Sequence, residues 1–201
     1  MGGRSEIARA WLTLAVACTL AMPAAGQFSD SFNFIKAVRD GEGDKVMTYL
    51  NKPGQPVLNT RDGSTGETAL HIVVKKHDQT WLGFLLARGA QTELRDREGN
   101  TALLTAVHIS DADAARMLLQ YGAKVNATNS RGETPLVVAV QHRDLPSIRL
   151  LVTNGADPRI ADTIAGKNAR DYASEDNRGT AILRILDEAK PKPSTMVGPA
   201  Q

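Results

Sequence analysis

The feature that most constrains this chain is a short phrase repeated at a fixed interval. Gly66-Glu67-Thr68-Ala69-Leu70-His71, Gly99-Asn100-Thr101-Ala102-Leu103-Leu104 and Gly132-Glu133-Thr134-Pro135-Leu136-Val137 open on glycines 33 residues apart. A degenerate copy, Gly166-Lys167-Asn168-Ala169-Arg170-Asp171, follows after 34. A period of this length means one supersecondary unit per repeat. Such a unit cannot bury its apolar face alone and must stack on its neighbours.

Each copy continues in register. Leu70, Val73 and Val74, then Leu103, Ala106 and Val107, then Leu136, Ala139 and Val140, make one apolar stripe of i, i+3, i+4 spacing close to each glycine. A second stripe follows: Leu82, Leu85, Leu86; Ala115, Leu118, Leu119; Ile148, Leu151, Val152; Ile182, Ile185, Leu186. Each repeat therefore encodes two amphipathic helices. Thr68, Thr101 and Thr134 suit the start of the first helix, and Pro135 falls where the first turn tolerates a missing N–H. Asp78, Asp111 and Asp144 recur where they would cap the second helix. Gly89, Gly122 and Gly155 follow it, where a left-handed residue ends a helix without a Cβ penalty.

Upstream, Phe34, Ala37, Val38 and then Val46, Tyr49, Leu50 reproduce both stripes without the Gly-x-Thr opening. The connection to the second repeat carries extra residues with Pro53, Gly54 and Pro56. Arg170 and Ser174 replace apolar residues in the last copy, as expected where one face of a terminal repeat meets water. The reading is an all-α repeat solenoid over 27–190, with five helix pairs near 31–52, 67–90, 100–123, 133–156 and 167–190. The segment 191–201, opened by Pro191 and Pro193, is expected to be a disordered tail.

The period, the Gly-x-Thr-Pro-Leu-His phrase and the Leu-Leu-x-x-Gly-Ala of Leu85 to Ala90 and Leu118 to Ala123 resemble the ankyrin repeat. Only Pro135 keeps the family proline, and only His71 the histidine. The resemblance implies antiparallel helix pairs stacked with β-hairpin-like loops, and binding of another protein through loop tips and the concave face. Carried onto this sequence, the contact positions are Ser64, Thr65, Glu67, Lys75 and Lys76 in the second repeat. In the third they are Arg97, Glu98, Asn100, His108 and Ile109, with Arg95 and Asp96 adding charge at the tip. In the fourth they are Ser130, Arg131, Glu133, Gln141 and His142. Lys75, Lys76, His108 and His142 give this surface a basic lean toward its groove, which would suit an acidic patch on the partner.

At the N-terminus, Arg4 and Arg9 precede the apolar run Ala10 to Met22, followed by small residues at Ala24 and Gly26. That is the layout of a signal peptide, 1–26, cleaved before Gln27. The run is too short for the roughly 20 residues a spanning helix needs. The expectation is an exported chain, periplasmic or else extracellular, with no stable membrane insertion once mature. The single cysteine, Cys18, is lost with the signal, and disulfides and thiol chemistry with it.

Other chemistries find little support. A net charge of +2 gives no electrostatic reason to expect nucleic acid. Gly166-Lys167-Asn168 lacks a phosphate loop's first glycine, which would stand at Ala161, and its Ser/Thr. His77, His108 and His142 recur at nearby registers, but stacked repeats are expected to hold imidazoles too far apart for shared ligation without extra carboxylates. No serine sits in a nucleophile elbow. Asn126-Ala127-Thr128 fits a glycosylation sequon. The function expected is that of a monomeric, non-enzymatic module, without cofactor or metal, that binds and stabilises or modulates a partner protein. A secreted effector, or an inhibitor of an enzyme or toxin, remains an alternative.

Overall fold

The computed structural model describes residues 24–53 and 57–188. The apolar run with Cys18 and the expected tail 191–201 lie outside the described residues.

Among the described residues ten α-helices form five pairs: α1 (Ala24–Asp40) with α2 (Gly43–Leu50), α3 (Ala69–Lys75) with α4 (Gln79–Ala87), α5 (Ala102–His108) with α6 (Ala112–Gln120), α7 (Pro135–Gln141) with α8 (Leu145–Thr153), and α9 (Ala169–Glu175) with α10 (Thr180–Glu188). Helices of seven to nine residues are too short to persist alone, so packing must hold them. The first members pack in a row, α1 on α3, α3 on α5, α5 on α7 and α7 on α9. The second members α4, α6, α8 and α10 form an outer row behind them. No helix of the described residues is long and apolar enough to cross a membrane.

The capping residues do what their register requires. Thr101 Oγ1 accepts from Leu104 N and Thr134 Oγ1 from Val137 N at the first-helix starts. Asp78, Asp111 and Asp144 accept from the backbone N–H three residues on, at Trp81, Ala114 and Ser147. Both stripes turn inward: Leu70, Leu103, Leu118, Leu136 and Leu151 are at most 1% exposed. Each such side chain contributes roughly 1.5–3 kcal/mol by leaving water.

Two kinds of repeat glycine have different physical reasons. Gly122, at φ +85°, ends α6, and a Cβ there would meet nothing within 4 Å. Gly99, at φ +81°, lies under the next loop, where a Cβ would come 2.6 Å from Ser130 N. The first needs glycine for its dihedral alone, the second also for the space.

The ends depart from the repeat. The first helix starts at Ala24, earlier than the frame near 31. Lys52 pairs with Asp30 at 3.0 Å across this end. In the last pair Asp176 is extended, at ψ 120°, instead of continuing the helical turn. Arg170 and Ser174 face water, and Arg170 pairs with Asp187 of α10.

Candidate functional site

The loops before α3, α5, α7 and α9 are built alike. One Asx side chain per loop folds the tip back by accepting backbone N–H groups. Asp62 accepts from Ser64 and Thr65, Asp96 from Glu98 and Asn100, Asn129 from Arg131 and Glu133, and Asp162 from Ile164 and Ala165. These are Asx-turns. The hairpin likeness is limited to isolated antiparallel bridges, Arg61 with Thr68 and Arg95 with Thr101; the described residues form no extended strand.

Consecutive tips are joined by one backbone hydrogen bond each. Arg97 N donates to Thr65 O at 3.0 Å, Ser130 N to Glu98 O at 3.0 Å, and Thr163 N to Arg131 O at 2.9 Å. The close approach that makes these bonds is the one that forbids a Cβ at Gly66, Gly99 and Gly132. His71 ties helix to tip from below. Its Nδ1 accepts the Thr68 N–H at 3.2 Å, its half of a capping box with the N-cap Thr68, and its Nε2 sits 2.9 Å from Asn100 O. The four tips thus form one continuous ridge.

Asp62 and Asp162 are held in their charged form. The Ser64 hydroxyl and the Arg39 guanidinium keep the Asp62 carboxyl well below the usual carboxylate range. Burial works against ionisation of Asp162, but the Tyr172 hydroxyl and three backbone amides outweigh it and lower its pKa.

The structure brings ten of the expected contact residues together. Ser64, Thr65, Glu67, Lys75, Asp96, Arg97, Glu98, Asn100, His108 and Ile109 line a groove of about 420 Å³ between the second and third tips, with Thr105 on its floor. Lys76 stands apart and donates to Arg39 O at 2.8 Å. Arg95 reaches forward to the carbonyl of Thr128. Ser130 and Arg131 are exposed at the fourth tip. Gln141 lines a separate groove of about 410 Å³ with Arg143, Tyr172 and Asp176. His142 turns toward His108, ring centroids 5.7 Å apart. The imidazoles of neighbouring repeats therefore stand closer than the repeat spacing suggests. Among the described residues no group of three His, Cys, Asp or Glu is disposed to hold a metal ion.

Pairing changes the electrostatic reading. Lys75 is bound to Glu67 at 2.5 Å and Arg131 to Glu133 at 2.8 Å, so of the basic lean expected from Lys75, Lys76, His108 and His142 the Lys75 charge is neutralised within the ridge. Surface pairs of this sort contribute only about 0–1 kcal/mol each, but they fix where the side chains point. Glu67, Asn100 and Glu133 are themselves buried and serve the loops from inside. Arg97 and Glu98 are exposed charges of the third tip with no ion pair among the described residues, the Arg97 guanidinium donating to Gly63 O.

Sequence reasoning missed two features of the ridge. The Asx residues at 62, 96, 129 and 162 recur three or four residues before each glycine, a signal that the glycine phrase overshadowed. Ile164, 76% exposed at the fifth repeat's tip, had no repeat signature to mark it. The sequon residue Asn126 is half-buried, and its Oδ1 accepts from Asp157 N at 2.9 Å.

Comparison with protein families matches residues 34–129 and 82–162 to a model described as ankyrin repeats (3 copies). No curated protein matches the chain.

Proposed function

The chain belongs to the ankyrin-repeat family, whose arrays are generally protein–protein interaction modules, and on that premise we propose that it is an exported, non-enzymatic module that grips one partner protein along its ridge of tips. The observation that carries this is the backbone ladder Thr65–Arg97, Glu98–Ser130 and Arg131–Thr163, which sets four tips in one rigid row. A surface ordered before binding loses little conformational freedom when a partner arrives. The groove between the second and third tips offers a hydroxyl at Thr105, an imidazole at His108 and an apolar side chain at Ile109, flanked by charges of both signs. That mixture suits a polypeptide surface. The export reading rests on Arg4, Arg9 and the Ala10–Met22 run, and the periplasm is the compartment it favours.

The test is capture of a partner by the purified chain, compared with Arg97→Glu and with Arg116→Glu on the exposed face of α6. The partner should be lost with Arg97→Glu and kept with Arg116→Glu, both variants folding normally by circular dichroism. Loss with Arg116→Glu alone would move the site to the outer helices.

A further inference from the structure

The end of the array opposite the tips carries a second series of cross-repeat contacts. His77, Ser110 and Arg143 occupy the same place in successive pairs, between inner and outer helix, with left-handed φ of 54°, 56° and 55°. From that position a side chain can reach the aspartate in the corresponding connection of the next pair. His77 Nδ1 lies 2.8 Å from Asp111 Oδ2. Arg143 holds Asp176 with two bonds, of 2.5 and 2.7 Å.

Ser110 interrupts the series. Its side chain is the shortest of the three, and among the described residues no side-chain hydrogen bond joins its connection to that of Asp144. Two atoms at this junction consequently lack partners although buried, Asp144 Oδ2 and Ser147 Oγ. His108 and His142 meet edge to face across the same junction, and neither ring is hydrogen-bonded to a described residue. We infer that the junction between the third and fourth helix pairs is an acid-opened hinge, at which protonation of the half-buried His108 against the His142 ring parts the last two pairs from the first three.

Glu133 and Glu98 favour a charged His108 ring, but burial, His142 and Arg131 work against it and outweigh them. On the tip side, Glu133 is engaged by Arg131 and Asn129, Glu98 by Asn100, and Asp96 by backbone amides. On α3 and its loop, Lys75 occupies Glu67, and Arg97 adds a further cation to the groove. Toward α6, Asp111 serves His77 and Ala114 N. Toward α9, Asp176 is held by Arg143 and Glu175 by Lys167. Asp144 Oδ2 is the buried carboxylate oxygen without a partner among the described residues. Burial, with the neighbouring His142 charge, holds His108 below the ordinary imidazole value. The closed junction therefore binds fewer protons than the open one, and acidification below about pH 6.5 favours opening. This inference stands without the protein-binding reading, because its readout needs no partner.

The test is hydrogen exchange on the full chain at pH 7.5 and 5.5, expressed as protection over the intrinsic rate. Protection in α7 to α10 should fall as a block by tenfold or more at pH 5.5, while α3 to α6 hold theirs. The double variant His108→Gln/His142→Gln should remove most of that drop. Ser110→Arg, which supplies a side chain able to reach Asp144, should reduce it. His71 is unchanged in every variant, so its own titration cancels in the comparison. A drop that persists in the double glutamine variant would overturn the inference. So would protection that is independent of pH, or that rises on acidification.

Discussion

His71 Nε2 lies 2.9 Å from the carbonyl oxygen of Asn100, in the loop of the next repeat, while its Nδ1 accepts the Thr68 N–H. With Nδ1 accepting, the single proton of the neutral ring is on Nε2, which donates to Asn100. Replacing His71 by Leu should leave the Thr68 N–H orphaned, at roughly 1–3 kcal/mol if it stays dry, while the Asn100 carbonyl keeps the Asp96 N–H at 2.9 Å. Urea denaturation of the variant against the parent at pH 7.5 measures it.

The same ring gives a pH dependence with a definite sign. Burial lowers the His71 pKa in the folded chain, so the unfolded chain takes up the proton first. Its contribution to stability is complete above about pH 6.5 and declines as pH falls below that value. The difference in unfolding free energy between pH 7.5 and 5.5 should be smaller in His71→Asn than in the parent.

Asp62 behaves in the opposite chemical sense with the same direction in pH. Its carboxyl is held below the usual range by Ser64 and Arg39, so its contribution is present above about pH 4 and lost as pH falls further. Asp62→Asn should flatten the acid limb of a thermal-unfolding profile between about pH 4 and 2. An unchanged acid limb would remove Asp62 from the account.

Gly99 and Gly122 share a left-handed backbone but not a neighbourhood. Alanine at Gly122 should cost about 1–2 kcal/mol, the dihedral penalty alone. Alanine at Gly99 should cost clearly more, because its Cβ would strike Ser130 and part the ladder between two tips. Equal shifts in melting temperature would mean that the tip contact carries no weight.

Leu118 is fully buried in α6. Leu118→Ala should cost about 2–5 kcal/mol. Ser147→Ala should do the reverse, staying neutral or gaining slightly, because the buried hydroxyl it removes has no partner. A matched pair of chemical denaturation curves separates the two.

How much of this was legible in the sequence depends on whether the cause is local. Leu85, Leu118 and Ile148 announce themselves through helical spacing, and Asp111 through its place before a helix, so the pairs follow from the chain alone. The need for glycine at position 99 is different, because its reason is Ser130, a residue of another repeat passing overhead. The basic lean read from Lys75 fails for the same reason. A net charge can be counted along a sequence, but the Glu67 partner that neutralises it is fixed only by the folded loop. His108 and His142 show the limit most clearly: their positions within the repeat differ by one residue, and stacking alone brings them together.

The central claim, that one partner is held along the ridge, is tested most directly by photo-crosslinking from single positions in the producing cell. A photoreactive residue placed in turn at Ser64, Glu98 and Ser130 on the tips, and at Arg116, Arg149 and Arg184 on the outer helices, reports what each surface touches. The ridge account predicts the same adduct from all three tip positions and none from the outer ones. Adducts from the outer helices with none from the tips would contradict it.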